Sequence, residues 1–233
     1  MSDLMRITTV QNRTKGQFDI TFLNHETATA IHRYHESFPV YRETPLVDLS
    51  GLAESLGVAA IYVKDESYRF GLNAFKVLGG SYAIGKVVAN HLGLSLDELP
   101  FEYLISDEIR ECLGEMTFIT ATDGNHGRGV AWTARQLHQK SIVYMPADTA
   151  AERAENIRKL GASVTIQDAN YDECVRMADW LAKEKGYYIV QDTAWPGYEE
   201  IPRWIMQGYI TMAYEAVRAL EQLNQPITHV FPL

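Results

Sequence analysis

The stretch MTFITATDGNHGRGVAWTARQLHQKSIVYMPADTAAERAENIRKLGASVTIQDANYDECVRMADWLAKEKGYYIVQ, residues 116–191, decides the fold. Four short apolar runs recur through it: MTFITA, SIVYM, ASVTI and YYIVQ. Each predicts a buried strand. Helices are expected between them, over 126–139, 150–160 and 171–185, in connections long enough for crossovers. Strand and helix alternating in that rhythm predict a parallel α/β sheet with flanking helices.

Toward the N-terminus, residues 94–115 (LSLDELPFEYLISDEIRECLGE) are acidic and predict a helical excursion over the surface. Asn73 to His91 predicts a helix, IYVKDES before it a short strand, and Leu49–Leu56 and His25–Ser37 two further helices. Pro45 favours an extended segment before it. Residues 1–24 predict an irregular arm. On the C-terminal side a long helix is expected from Pro202 to Leu223, and THVFPL then reads as one more buried strand. A parallel strand there expects a neighbour, so the fold is expected to need more chain than the 233 residues present.

Three stretches could carry chemistry. In NAFKVLGGSYA (73–83), Asn73 is the expected N-cap. Lys76 then falls in the first turn, where the helix dipole disfavours a cation. A lysine whose neutral amine is favoured suits Schiff-base chemistry; the plain alternative is a solvated helical lysine. Gly79, Gly80 and Ala83 beside it leave room for close approach to the backbone. The second stretch, TATDGNHGRGVAW (120–132), follows a strand and opens a helix. Its backbone N–H groups and the hydroxyls of Thr120 and Thr122 could hold a carboxylate or phosphate beyond the strand ends. Asp123 there is either a base or a cap, and Gly124, Gly127 and Gly129 are equally explained by tight turning and close packing. In the third, QDTAWPGYEEIPRWIMQGY (191–209), Asp192 lies past a strand end on the same edge as Asp123. Two carboxylates could act as acid and base toward a diamine or hold its ammonium groups. Trp195 and Trp204 read as core.

His32 and His35 are one helical turn apart, but without a third ligand they read as surface histidines rather than a metal site. Cys112 and Cys174 lack any ligand or redox spacing and read as buried, inert thiols. The net charge of -9, from 30 acids against 21 bases, argues against a nucleic-acid or anionic-membrane partner. No apolar run approaches the roughly 20 residues of a membrane span, and no signal peptide is recognisable. A cytoplasmic protein with an ordinary core is expected, given 46 % hydrophobic and 22 % charged residues.

In this order, YRETPL (41–46), VKDESYRFGLNAFKVLGG (63–80), TATDGNHGRGVAW, NYDECV (170–175) and QDTAWPGY (191–198) resemble the diaminopropionate ammonia-lyase family, of the tryptophan-synthase-β-like fold. The resemblance runs from about Tyr41 onward. DGNHG, in place of the SAGNH-like segment of threonine dehydratases, favours the diaminopropionate branch. It implies pyridoxal 5'-phosphate as cofactor, a small amino-acid substrate, and α,β-elimination of 2,3-diaminopropionate to pyruvate and ammonia. It further implies that Lys76 forms the Schiff base and Asn125 contacts the cofactor's ring hydroxyl. Thr122, Asn125 and His126 fall in the loop for the substrate carboxylate, and Asp123 and Asp192 at the two proton-abstracting acids. Residues 1–90 would begin a larger cofactor domain, 91–200 form a smaller parallel α/β domain, and 201–233 return into the larger one. A homodimer is implied as well. The family's glycine-rich phosphate loop would follow the THV strand and has no counterpart here, so weak phosphate binding, exposed apolar surface and a need for a complementing half are expected. A threonine or serine dehydratase-like lyase and a non-catalytic remnant are the alternatives.

Overall fold

The computed structural model describes residues 20–231, so most of the expected N-terminal arm lies outside the described residues. Helix α1 (His25–Glu36) opens at Asn24, whose side chain accepts the Thr27 N–H at 2.8 Å. Strands β1 (Leu46–Asp48) and β2 (Tyr62–Lys64) pair antiparallel, with α2 (Ser50–Leu56) between them in sequence. Helix α3 spans Lys76–Leu92. Asn73 is not its cap: it adopts φ 55, the left-handed conformation that asparagine tolerates, and the residue at the cap, Phe75, makes no side-chain capping bond. The chain turns once more there because Leu72 and Ala74 are both drawn into the interior.

Short helices α4 (Phe101–Leu104) and α5 (Asp107–Leu113) follow. This acidic region is no mere surface excursion. Leu96, Leu99, Phe101, Leu104, Ile109 and Leu113 are all buried in the main core. Apolar spacing governs the segment despite its charge, leaving its acids on the outer side.

Then come β3 (Thr117–Ala121), α6 (Asn125–Gln136), β4 (Lys140–Met145), α7 (Ala151–Arg158), β5 (Ser163–Ile166), α8 (Tyr171–Lys185) and β6 (Tyr188–Ile189). The strands form one parallel sheet in the order β5–β4–β3–β6. This is the expected sheet with flanking helices. All five residues of β3 are buried, as a central strand covered on both faces requires. The chain leaves β3 toward β4 and returns to its other side at β6. The carboxyl ends of β3 and β6 therefore flank a switch point, where ligands bind in open parallel sheets.

Helix α9 (Glu200–Gln222) packs across α3 and α1. Glycine sets how closely. A Cβ on Gly208 would run into the Leu78 carbonyl oxygen, and one on Gly129 would lie 2.9 Å from the Val77 Cα. The space beside Gly79 and Gly80 is thus filled by neighbouring helices, Tyr209 and Ile205 against the first and the Gly129 backbone against the second. Over the described part of THVFPL, residues 228–231, the expected strand does not form: Val230 and Phe231 are 76 % and 82 % exposed, and no described strand runs beside them. A strand is held by its neighbour's backbone groups and has none to pair with there.

Three local expectations are corrected. His32 and His35 are buried rather than superficial. His35 bonds to Thr211 Oγ1, the Leu78 carbonyl and Ser81 Oγ, and burial lowers its pKa to about 3. It joins α1, α3 and α9 as a neutral core group. Cys112 is exposed, whereas Cys174 is buried, where desolvation raises its thiol pKa. Among the described residues no cluster of three or more His, Cys, Asp or Glu could hold a metal, and no helix is long and apolar enough to cross a membrane.

Candidate active site

Beyond the ends of β3 and β6 lies a cavity of about 460 Å³ lined by Lys76, Thr122, Asp123, Gly124, Asn125, His126 and Asp192. Arg128, Arg153, Asn156 and Tyr171 complete the wall. Lys76, Thr122, Asp123, Asn125, His126 and Asp192 therefore reach one space, of ordinary size for a small-molecule site, whereas Thr120 does not.

Lys76 Nζ donates to Asp192 Oδ2 at 2.9 Å. It also stands over the rings of Tyr209 and Phe75, at 5.4 and 5.7 Å from their centroids. Burial alone would raise the Asp192 pKa. The His126 ring and the bond and charge of Lys76 outweigh that and hold it below the usual carboxylate value. His126 Nε2 lies 2.8 Å from the Val190 carbonyl. A carbonyl only accepts, so Nε2 carries the proton and the other nitrogen is an acceptor in the neutral ring. That Nδ1 is buried without a hydrogen-bond partner, 3.8 Å from Asp192 Oδ2. Burial lowers the His126 pKa against the pull of Asp192, which keeps the ring neutral.

The turn before α6 is built by Thr122. Its buried hydroxyl accepts the N–H groups of Gly124 and Gly127 at 3.0 and 3.3 Å. Those two donors are spent on the turn itself rather than on a ligand, while the hydroxyl keeps its own hydrogen. Gly127 is required in turn, since a Cβ there would collide with the Thr122 methyl. The hydroxyl of Thr120 faces away and donates to Gln191 Oε1 at 2.9 Å. Asp123 and Asn125 are exposed to the cavity, and the Asp123 carbonyl accepts from Arg153 Nη1 at 3.2 Å. Trp204 is core, and Trp195 is half-buried, stacked on Tyr198 at 4.1 Å.

The family model described as pyridoxal-phosphate dependent enzyme matches residues 38–232. The chain belongs to this family. Among curated relatives it is similar to the diaminopropionate ammonia-lyase of Salmonella typhimurium, 51 % identical over 212 residues, which are 91 % of this chain and 52 % of the relative. The apo crystal structure of the Escherichia coli diaminopropionate ammonia-lyase superposes with a TM-score of 0.83 at 47 % identity, over 88 % of this chain and 55 % of that one. The complex of the E. coli enzyme with D-serine gives a TM-score of 0.82 at 46 % identity, over 88 % and 52 %. The chain spans about half the length of the curated relatives it matches.

Within a pyridoxal-phosphate-dependent family, the residues present fit the cofactor's chemistry. The cavity holds a lysine amine, an amide able to donate and accept at Asn125, and an unsatisfied buried acceptor at His126 Nδ1. Sequence reading overlooked Arg128, Arg153, Asn156, Tyr171 and Gln191. Arg153 and Asn156 stand one turn apart on α7 with the buried Ala154 and Ile157, so their orientation follows helical spacing once that inner face is known. Tyr171 sits directly after Asn170, whose side chain caps α8 through the Glu173 N–H at 3.0 Å. That capping box fixes the start of the helix and with it the place of the tyrosine.

Proposed function

We propose that this chain carries the lysine-bearing half of a lyase that eliminates ammonia from 2,3-diaminopropionate and yields pyruvate. The observation that carries the reading is the convergence of Lys76, Asp123, Asp192 and His126 on one cavity at the switch point. Lys76 would hold pyridoxal phosphate through its amine, with Asn125 on the cofactor ring. Bound there, the cofactor supplies an electron sink for the substrate's α-carbon. The chain's own residues do the rest. The Thr122 hydroxyl, the Asn125 amide and the backbone N–H of His126 receive the substrate carboxylate at the start of α6. Asp192 and Asp123 take the α-proton from opposite enantiomers, and their charges favour a doubly aminated substrate. The Cβ–N bond then breaks with its electron pair on nitrogen, and water converts the resulting enamine to pyruvate and a second ammonia.

Asp192 is ready as a base because its neighbours keep it ionised. Its bond to Lys76 must loosen for it to act, which couples the lysine's engagement to the base's release. The same reading places the reaction in the cytoplasm, consistent with two free thiols, and in a homodimer. It also divides the chain near residues 90 and 200.

The test is to incubate the chain with pyridoxal phosphate, reduce with borohydride, and map the label by mass spectrometry. Label on Lys76, lost in Lys76→Ala, is expected, together with pyruvate release from diaminopropionate. Label scattered over surface lysines would refute the role of Lys76. Faster turnover of serine or threonine would select the dehydratase instead, and specific label without turnover would mark a non-catalytic remnant.

A further inference from the structure

Gln191 is wholly buried just past β6, and its amide spans the crevice between β3 and the cavity wall. Oε1 accepts the Ala121 N–H and the Thr120 hydroxyl, each at 2.9 Å. Nε2 lies 2.7 Å from the Tyr171 hydroxyl and 3.4 Å from Asp192 Oδ1. This orientation is not interchangeable. The Ala121 N–H can only donate, so the amide oxygen must face it and the NH₂ must face Tyr171. The Tyr171 oxygen therefore accepts, and its single hydrogen is left for something else. Among the described residues it meets only Thr193 Oγ1, at 3.5 Å, a poor bond. Tyr171 otherwise borders the cavity that contains Lys76, Asp123 and Asp192.

We propose that Gln191 is a positioning residue: it fixes the Tyr171 phenol as a hydrogen-bond donor into the cavity, toward an acceptor atom of the bound amino acid. The identity of that amino acid rests on the lyase reading; the polarity of the phenol does not. The same contact explains why β6 is only two residues long. Where the next ladder bond would form, the Gln191 side chain takes the Ala121 N–H. Burial raises the Tyr171 pKa, so the phenol keeps its hydrogen at neutral pH.

The decisive variant is Gln191→Glu, read at a pH where the new carboxyl is ionised, so that it keeps an acceptor for Ala121 but replaces the NH₂ by a second acceptor. The phenol then turns inward to donate to the protein. In the full chain labelled with ¹³Cζ-tyrosine, the Tyr171 resonance is assigned by its loss in Tyr171→Phe. It is expected to shift in Gln191→Glu while the other tyrosine resonances away from this site stay in place. An unmoved Tyr171 resonance in a folded variant overturns the proposal. Should Gln191→Glu fail to fold, Gln191→Met serves the same reading, because it removes the donor without adding a charge and frees the phenol to rotate. With diaminopropionate, Tyr171→Phe and Gln191→Glu should each lower kcat/KM about 10- to 100-fold, the range for one bond to a charged group. The double variant should be no worse than either single one. Additive losses would overturn the proposal, since a merely structural Gln191 acts independently of Tyr171. If the wild-type chain shows no turnover at all, the lyase reading falls, and the resonance shift still decides the polarity.

Discussion

Glu215 is the carboxylate whose loss should be felt most. It lies on α9 with 1 % of its surface exposed, and it accepts two bonds from the fully buried Arg69, both at 2.8 Å. Lys64 Nζ stands at 2.6 Å, and the Tyr41 hydroxyl donates at 2.9 Å. Burial would raise the Glu215 pKa, but these donors win and lower it from 4.5 to about 2. At about 1.4 kcal/mol per tenfold change, that drop corresponds to about 3 kcal/mol of stability. The lower end of the range for breaking a buried pair, about 3–5 kcal/mol, agrees. Glu215→Gln keeps the volume and removes the charge. Arg69 retains Glu66, so the smaller figure is expected. The assay is urea unfolding followed by tryptophan fluorescence at several pH values. The folded-state pKa is depressed, so the contribution is fully present above pH 4.5 and is lost as pH falls through about 2. The wild-type advantage should therefore be about 3 kcal/mol at pH 7 and vanish toward pH 2. A variant within about 0.5 kcal/mol of wild type at pH 7, the scatter of ordinary surface changes, would refute this account of the cluster.

Four further outcomes are expected. Gly129→Ala forces a Cβ against the backbone of Val77 and should cost about 1–3 kcal/mol by urea unfolding. Gly51→Ala, in α2 with open space around it, should instead stabilise by up to about 1 kcal/mol, and a loss at Gly51 would undermine the packing argument. Asp192→Asn removes the charge that supports protonation of His126, so the imidazole pKa read by ¹⁵N NMR should fall further below its ordinary value. A thiol reagent should modify Cys112 rapidly in the native chain and Cys174 only on unfolding; equal rates would contradict their different burial.

The sequence by itself determined the sheet and most of its helices. Alternation of apolar runs with amphipathic helices is a local property, and β3, β4 and β5 each begin within a residue of the expected start. It also brought forward Thr122, Asp123, Asn125, His126 and Asp192, because a chain leaving a parallel strand delivers its next residues to the same sheet edge, whereas Lys76, which follows the antiparallel β2, came forward from its place in the first turn of a helix. Tertiary structure alone decided everything that joins distant segments. Arg69 meets Glu215 across 146 positions and His35 meets Thr211 across 176, and no spacing rule relates such pairs. The same holds for the burial of His32 and His35, which depends on α9 arriving beside α1. Helix α3 begins later than Asn73 suggests because buried neighbours outweigh a capping preference of about 1 kcal/mol. The THVFPL segment shows the converse limit: its side chains are suited to a strand, but a strand exists only where another backbone is present to pair with it.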